Sequence, residues 1–312
     1  MRATPRLFVT FAAMLAAVSS LEAAQILYVS DTTSDSVFAF APDGTRTTFA
    51  SGLSDPTGLA FGPSGNLFVA DSGSGNIFQY TPAGMRTTFA SGLGSLTGLA
   101  FDSAGNLFAS AQGSGEILKF APDGTKSVFA SAPLVTGGIG TPMPTGLAFD
   151  ANGNLFAGVF VQTIRFPAGF ILEFTPAGMK TIFAQPPGVP LVIPIGLAFD
   201  ANGDLFVADS SPLCCGGILE LAPNGSSTIF KIGLNPSGLA FDENGILFAG
   251  DFGNGKILKF ASDGSSTDFG VTPGPGFLAF GPLTVAPGIP EPSTALLLLS
   301  GVACLVIRAR NR

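Results

Sequence analysis

Pro56-Thr-Gly-Leu-Ala-Phe61, Gly65-Asn-Leu-Phe-Val-Ala-Asp71 and Gly75-Asn-Ile-Phe-Gln-Tyr80 are followed by the turn Thr81-Pro-Ala-Gly84 and by Thr87-Thr-Phe-Ala90. Each apolar run has four to six residues between Gly, Pro, Asn or Asp, which is the length and punctuation of a β-strand. The unit recurs. Gly-Leu-Ala-Phe stands at 58–61, 98–101, 146–149, 196–199 and 238–241, and Phe277-Leu-Ala-Phe280 is a sixth copy with Phe in place of Gly. The intervals are 40, 48, 50, 42 and 39 residues. Four short antiparallel strands in every ~40 residues is the pattern of a propeller blade. A lone four-stranded sheet cannot bury both faces, and radial packing of blades does so. The first run, apolar throughout, is expected to be buried on both faces. The third alternates, as in Ile117-Leu-Lys-Phe120, and faces one layer.

The strand count closes on itself. Residues 26–50 supply a second, third and fourth strand (Ile26 to Asp31, Val37 to Phe40, Thr47 to Ala50), and residues 277–281 supply an orphan first strand. Together they make one blade, and five intact blades bring the number to six. The sequence therefore predicts an all-β, six-bladed β-propeller with four antiparallel strands per blade. Strand 277–281 joins the N-terminal blade and closes the ring. That closure is expected to leave no open edge strand.

Spacing separates two rims. The first-to-second turn is constant from Phe61–Leu67 to Phe241–Leu247, and so is the third-to-fourth turn from Phe40–Phe49 to Phe260–Phe269. The other rim varies. Longer segments fall at 131–145, 158–170, 184–195 and 210–217, all on neighbouring blades three to five. They are rich in Pro, Gly, Val, Ile and Phe, with Arg165 the only full charge. Binding usually sits on such loops. Neutral drift in loop length is the competing account. The candidate binding-rim residues are Arg165, Phe160, Phe166, Val192, Ile193, Cys214 and Cys215.

Composition narrows the chemistry. Of 312 residues, 42 are Gly, 24 Pro, 30 Phe, 2 Tyr and none Trp or His. The missing histidine excludes Ser-His-Asp and Cys-His triads and imidazole zinc sites. A net charge of −7 argues against nucleic acid as a partner. Of the three Cys, Cys214 and Cys215 are adjacent, so there is no disulfide framework. The pair reads either as a strained vicinal disulfide or as two small apolar residues. An Asp ends the second strand in four blades: Asp31, Asp71, Asp209 and Asp251. Converging carboxylates would hold calcium, whereas a turn-capping Asp would bond backbone N–H groups. Asp150-Ala-Asn-Gly-Asn154 and Asp200-Ala-Asn-Gly-Asp204 look like calcium-loop fragments but lack the other ligands, and Asn-Gly is hairpin chemistry.

Both ends read as addresses. Residues 1–24 carry Arg2 and Arg6, an uncharged apolar run from Leu7 to Val18 and then small residues, the order of a signal peptide. Residues 25–285 form the propeller and 286–312 a tail. The tail holds Pro290-Glu291-Pro292-Ser293, an uncharged stretch from Thr294 to Ile307 and a basic end with Arg308, Arg310 and Arg312. Over 289–312 it resembles the PEP-CTERM sorting signal. The resemblance implies an exosortase-type membrane protease as partner, with sorting residues Pro290, Glu291 and Pro292. It also implies a transient transmembrane anchor and an envelope, cell-surface or extracellular destination.

The unit Pro56-x-Gly-Leu-Ala-Phe, Gly65-Asn-Leu-Phe-Val-Ala-Asp71, Gly75-Asn-Ile-Phe and Pro82 resembles NHL-type propeller repeats over roughly 26–281. Related six-bladed propellers include metal-dependent gluconolactonase/regucalcin-like hydrolases. Their acidic channel ligands have no counterpart in Gly-Leu-Ala-Phe. Streptogramin-lyase-like propellers need a His that this chain lacks. Fold alone does not carry function. The first expectation is an exported, non-enzymatic binding or scaffold propeller whose partner is extracellular polysaccharide or a surface protein. The alternative is a lactonase-like hydrolase with Asp31, Asp71, Asp209 and Asp251 on a divalent metal.

Overall fold

The structure, a computed structural model, describes residues 25–132, 141–163, 168–184, 191–211 and 216–281. The predicted signal peptide and sorting tail, with Pro290, Glu291 and Pro292, lie outside these residues. Six four-stranded antiparallel sheets are arranged as a β-propeller. Blade one is β24 (Pro275–Gly281), β1 (Ile26–Asp31), β2 (Ser36–Phe40) and β3 (Arg46–Ser51), in that order. Blade two runs β4 (Pro56–Phe61), β5 (Leu67–Asp71), β6 (Asn76–Tyr80), β7 (Arg86–Ala90). Blade three runs β8 (Leu96–Phe101), β9 (Leu107–Ala111), β10 (Glu116–Phe120), β11 (Lys126–Ser131). Blade four runs β12 (Met143–Phe149), β13 (Leu155–Val161), β14 (Ala168–Phe174), β15 (Lys180–Ala184). Blade five runs β16 (Pro194–Phe199), β17 (Leu205–Asp209), β18 (Gly217–Leu221), β19 (Ser227–Ile232). Blade six runs β20 (Pro236–Phe241), β21 (Leu247–Asp251), β22 (Lys256–Phe260), β23 (Ser266–Val271).

The ring closes as the strand count requires. β24 pairs with β1 in the register Ile26↔Gly281, Leu27↔Phe280, Tyr28↔Ala279 and Val29↔Leu278. The first strands touch one another in sequence around the axis and return from β24 to β4. The glycine of Gly-Leu-Ala-Phe is required by that approach. A Cβ on Gly58 would lie 2.3 Å from the Thr97 carbonyl oxygen, and one on Gly98 2.4 Å from that of Thr145. The preceding hydroxyl stitches the same seam. Thr57 Oγ1 donates to Leu96 O at 3.1 Å, Ser237 Oγ to Gly276 O at 2.9 Å, and Thr145 Oγ1 to Pro194 O.

The phenylalanine count has a structural cause. Phe68 of β5 meets Phe89 of its own outer strand at 5.1 Å and Phe101 of the next blade at 5.0 Å, both edge-on. Phe108, Phe156, Phe206 and Phe248 repeat the arrangement at the next four seams, and Tyr28 with Phe49 and Phe61 at the remaining one. Edge-to-face pairs at these separations are the favoured geometry, worth about 0.5–1.5 kcal/mol each beyond burial. The blade interfaces are thus one aromatic cluster repeated.

Three expectations need correcting. The completely buried strand is the second, not the first. Every residue of β1 and β5 is buried, while β4 leaves Thr57 and Phe61 half-exposed. The second strand has a strand on each edge and a blade on each face, whereas the first borders the axis. Closure also does not remove edges: β3, β7, β11, β15, β19 and β23 each end a sheet. They are blunted instead. The ladder to each carries a register shift, and four begin with Arg46, Arg86, Lys126 or Lys180. Bulges and cations are known guards against edge-to-edge pairing. Finally, segment 158–170 is not all loop. Its Val- and Phe-rich ends extend the β13–β14 ladder through Phe160↔Gly169 and Val161↔Ala168.

Candidate functional site

The long segments meet on one rim. Met143 and Pro144 pair with Phe160 and Val159. Gly169 N–H donates to Leu191 O at 2.9 Å, and Ser210 N–H to Ile193 O at 3.0 Å. Described parts of all four segments are therefore linked side by side across blades three to five. Their apolar residues do not all face outward, however. Leu191, Val192 and Val161 are buried, and Phe160 and Ile193 are half-buried. Val161 and Leu191 pack into the cores of their own blades. Arg165, Phe166, Cys214 and Cys215 lie outside the described residues.

The displayed apolar groups are elsewhere, and the sequence reading missed them. Val128, Ile182 and Ile229 occupy one repeated position at the middle of the outer strands β11, β15 and β19, and are 54, 60 and 54% exposed. The same position holds Thr48, Thr88 and Asp268 in blades one, two and six. At this position an exposed apolar side chain thus marks each of the three blades that carry the long segments, while exposed apolar residues elsewhere, such as Met85 and Val271, stand at other positions. Aligning the fourth strands on Phe49, Phe89, Phe129, Phe183, Phe230 and Phe269 makes the contrast visible in the sequence.

The four aspartates are placed alike. Asp71 Oδ1 accepts Ser54 N–H at 2.6 Å, Asp209 Oδ1 accepts Ile193 N–H at 2.7 Å, and Asp251 Oδ1 accepts Asn235 N–H at 3.0 Å. Asp31 accepts from Gly274 N–H at 2.9 Å, Ser34 N–H at 2.7 Å and the Thr272 hydroxyl. Each carboxylate grips the connector that enters its own blade, so the four serve four separate connectors. Among the described residues, no group of three or more Asp, Glu, Cys or His is placed to hold a metal. Burial pushes the Asp31 carboxyl up, but its bonds from Thr272, Gly274 and Ser34 outweigh this and hold its pKa below the ordinary value. At Asp209 burial dominates and raises the pKa, with the Ile193 and Val192 N–H groups pulling the other way. Asp31 has a hydroxyl donor in Thr272 and bonds from Ser34 that Asp209 has no counterpart for, and these tip the balance the other way.

The opposite rim is built from tight turns. Asp150 Oδ1 accepts Asn152 N–H at 2.9 Å and Asn154 N–H at 2.7 Å, and Asp102, Asp200 and Asp242 do the same. The calcium-loop fragments are hairpin caps. Grooves open between blades on this rim, one of 340 Å³ between blades two and three and one of 660 Å³ between blades five and six.

Residues 53–80 match the family model of the NHL repeat. No curated protein matches the sequence. Solved structures share the fold. A chain of the nidogen/laminin complex is 19% identical, with a TM-score of 0.67 over 82% of this chain and 98% of that one. A gluconolactonase from Xanthomonas campestris is 15% identical, with 0.62 over 82% and 91%. Virginiamycin B lyase from Staphylococcus aureus is 15% identical, with 0.57 over 80% and 85%. At such identities the likeness is one of architecture. The chain is a six-bladed β-propeller carrying an NHL repeat. Among the described residues no helix is long and apolar enough to cross a membrane.

Proposed function

We propose that this chain is an exported binding or scaffold propeller, sorted through its C-terminal tail by an exosortase-type protease and held at or shed from the cell surface. Blades three to five are its contact face. The observation that carries this reading is that Val128, Ile182 and Ile229 are exposed at one repeated position in the three blades whose rim carries the four linked segments. Their chemistry favours a surface protein over a polysaccharide.

The test is a triple variant, Val128→Thr, Ile182→Thr and Ile229→Thr, which installs the residue that blades one and two carry. The full chain is expected to retain a protein from a surface fraction and the variant to lose it with an unchanged melting temperature. Equal retention by both refutes the contact face. Retention on a glycan array in place of the protein fraction assigns the partner to polysaccharide. Replacing Pro290, Glu291 and Pro292 by Ala is expected to block maturation, read as the mass of the cellular product.

The hydrolase alternative makes a separate demand. If Asp209 and Asp251 held a metal, calcium would raise the melting temperature and Asp209→Asn with Asp251→Asn would cancel the rise. Their engagement with Ile193 and Asn235 supports no shift.

A further inference from the structure

The residue opposite the second-strand aromatic varies around the ring, Ala39, Gln79, Lys119, Glu173, Glu220 and Lys259 in blades one to six, and the groove between blades five and six combines its variant with two others. In blade three, Lys119 lies opposite Phe108 in the ladder and its Nζ stands 5.3 Å from the centre of that ring. In blade six, Lys259 stands 5.6 Å from Phe248 in the same register. Each ring also has two edge-on phenylalanine neighbours. Phe206 of blade five keeps those neighbours, Phe230 at 5.2 Å and Phe241 at 5.1 Å, but its register partner is Glu220. Among the described residues no cation stands over Phe206.

Two further exchanges enter the same space. Asn106 and Asn154 donate their amides to Asp102 and Asp150 at 2.7 and 2.9 Å, but the equivalent residue of blade five is Asp204, which has no proton to give. Ser262 stands where the other blades have Pro42, Pro82, Pro122, Pro176 and Pro223. Pro122 walls the 340 Å³ groove, while Ser262 lines the one of 660 Å³. Asp200, Asp204 and Glu220 line that groove against a single cation, Lys259, which already stands over Phe248. Blade four carries Glu173 in the register of Glu220 but keeps Asn154, and the turn of blade five keeps Pro223. The exchanges come from two blades and from separate strands and turns, and they meet in one cavity.

We propose that this groove binds a small organic ammonium ion, its charge over the Phe206 ring between Glu220 and Asp204. The ligand would occupy the place that Lys119 fills over Phe108. A π-face beside carboxylates selects such a cation. A bare metal ion needs an oxygen cage instead, and among the described residues no such group is found. The inference is independent of the contact face, which lies on other elements.

Calorimetric titration of the full chain with n-butylammonium tests it, with n-butanol as the neutral control. Saturable one-site binding of the ammonium and none of the alcohol is expected. Glu220→Lys restores the side-chain cation of blades three and six, so it should fold normally and weaken binding at least about tenfold. Ser262→Pro should do the same by refilling the wall. An Nα-acetyl-lysine amide, whose side-chain ammonium is intact, that binds more tightly than n-butylammonium would assign the ammonium to a protein side chain. Absence of saturable binding, or binding that survives both variants, overturns the proposal.

Discussion

On one rim Asp102 accepts N–H groups from Ala104 and Asn106, two and four residues along its own hairpin. On the other, Asp71 reaches Ser54 and Asp209 reaches Ile193, each across a connector that enters the blade from its neighbour. The residue is the same and the mechanical effect is opposite. A cap that spans four residues fixes the length of its turn. A cap that grips only the last residues of a connector leaves the rest free to lengthen. This accounts for the long connector 184–195, which Asp209 grips at Ile193; 131–145 enters blade four, where Val159 replaces the aspartate, and 158–170 and 210–217 are turns within blades. Extra length in a held loop adds little closure entropy, about 0.6 kcal/mol per doubling.

The sharpest way to break this comparison is insertion. Two residues placed between Ala104 and Gly105 separate Asp102 from Asn106 and remove three hydrogen bonds at about 1 kcal/mol each, from the Asn106 N–H and amide to the Asp102 carboxylate and from the Asp102 N–H to the Asn106 carbonyl. A loss of about 2–3 kcal/mol in urea unfolding is expected. The same pair between Ser51 and Gly52, ahead of the Ser54 grip, should cost less than about 1 kcal/mol. Equal costs would mean that the caps do not govern loop length.

Removing the caps themselves gives a smaller effect. Asp251 is 2% exposed and holds Asn235 N–H and the Asn254 amide. Asp251→Ala empties a buried position and breaks the bonds to the exposed Asn235 and Asn254, and should cost about 2 kcal/mol. Asp102→Ala frees groups that water reaches, and about 1 kcal/mol is expected. The order of the two midpoints is the measurement.

Blade number, strand order and closure were legible because each blade repeats the same short-range rules: strand length, turn residues and an apolar run. The pairing of strand 277–281 with Ile26–Asp31 follows from counting alone, and the structure supplies its register. The turn caps were legible for the same reason. What escaped the sequence was the direction in which apolar residues point. Leu191 and Val192 read as loop and turned inward because a connector must cover the open end of its blade, whereas Val128, Ile182 and Ile229 read as ordinary strand and face outward. Hydropathy identifies what can be buried, and only neighbours on both faces determine what is. The groove at Phe206 was hidden differently: its signal lies in comparing equivalent positions between blades rather than in any one motif.

The subtlest prediction concerns two aspartates with the same place in the repeat. Asp31 has a lowered pKa and Asp209 a raised one. A group whose folded pKa is depressed adds stability above its ordinary pKa of about 4 and loses it as the pH falls. A group whose folded pKa is raised adds stability below that value and loses it as the pH climbs through the folded pKa. Asp31→Asn should therefore cost more at pH 7 than at pH 3, and Asp209→Asn more at pH 3 than at pH 7. Chemical unfolding of both variants and the parent at the two pH values measures this. Parallel profiles for the two variants would mean that the Thr272 hydroxyl and the Gly274 and Ser34 N–H groups do not set Asp31 apart from Asp209.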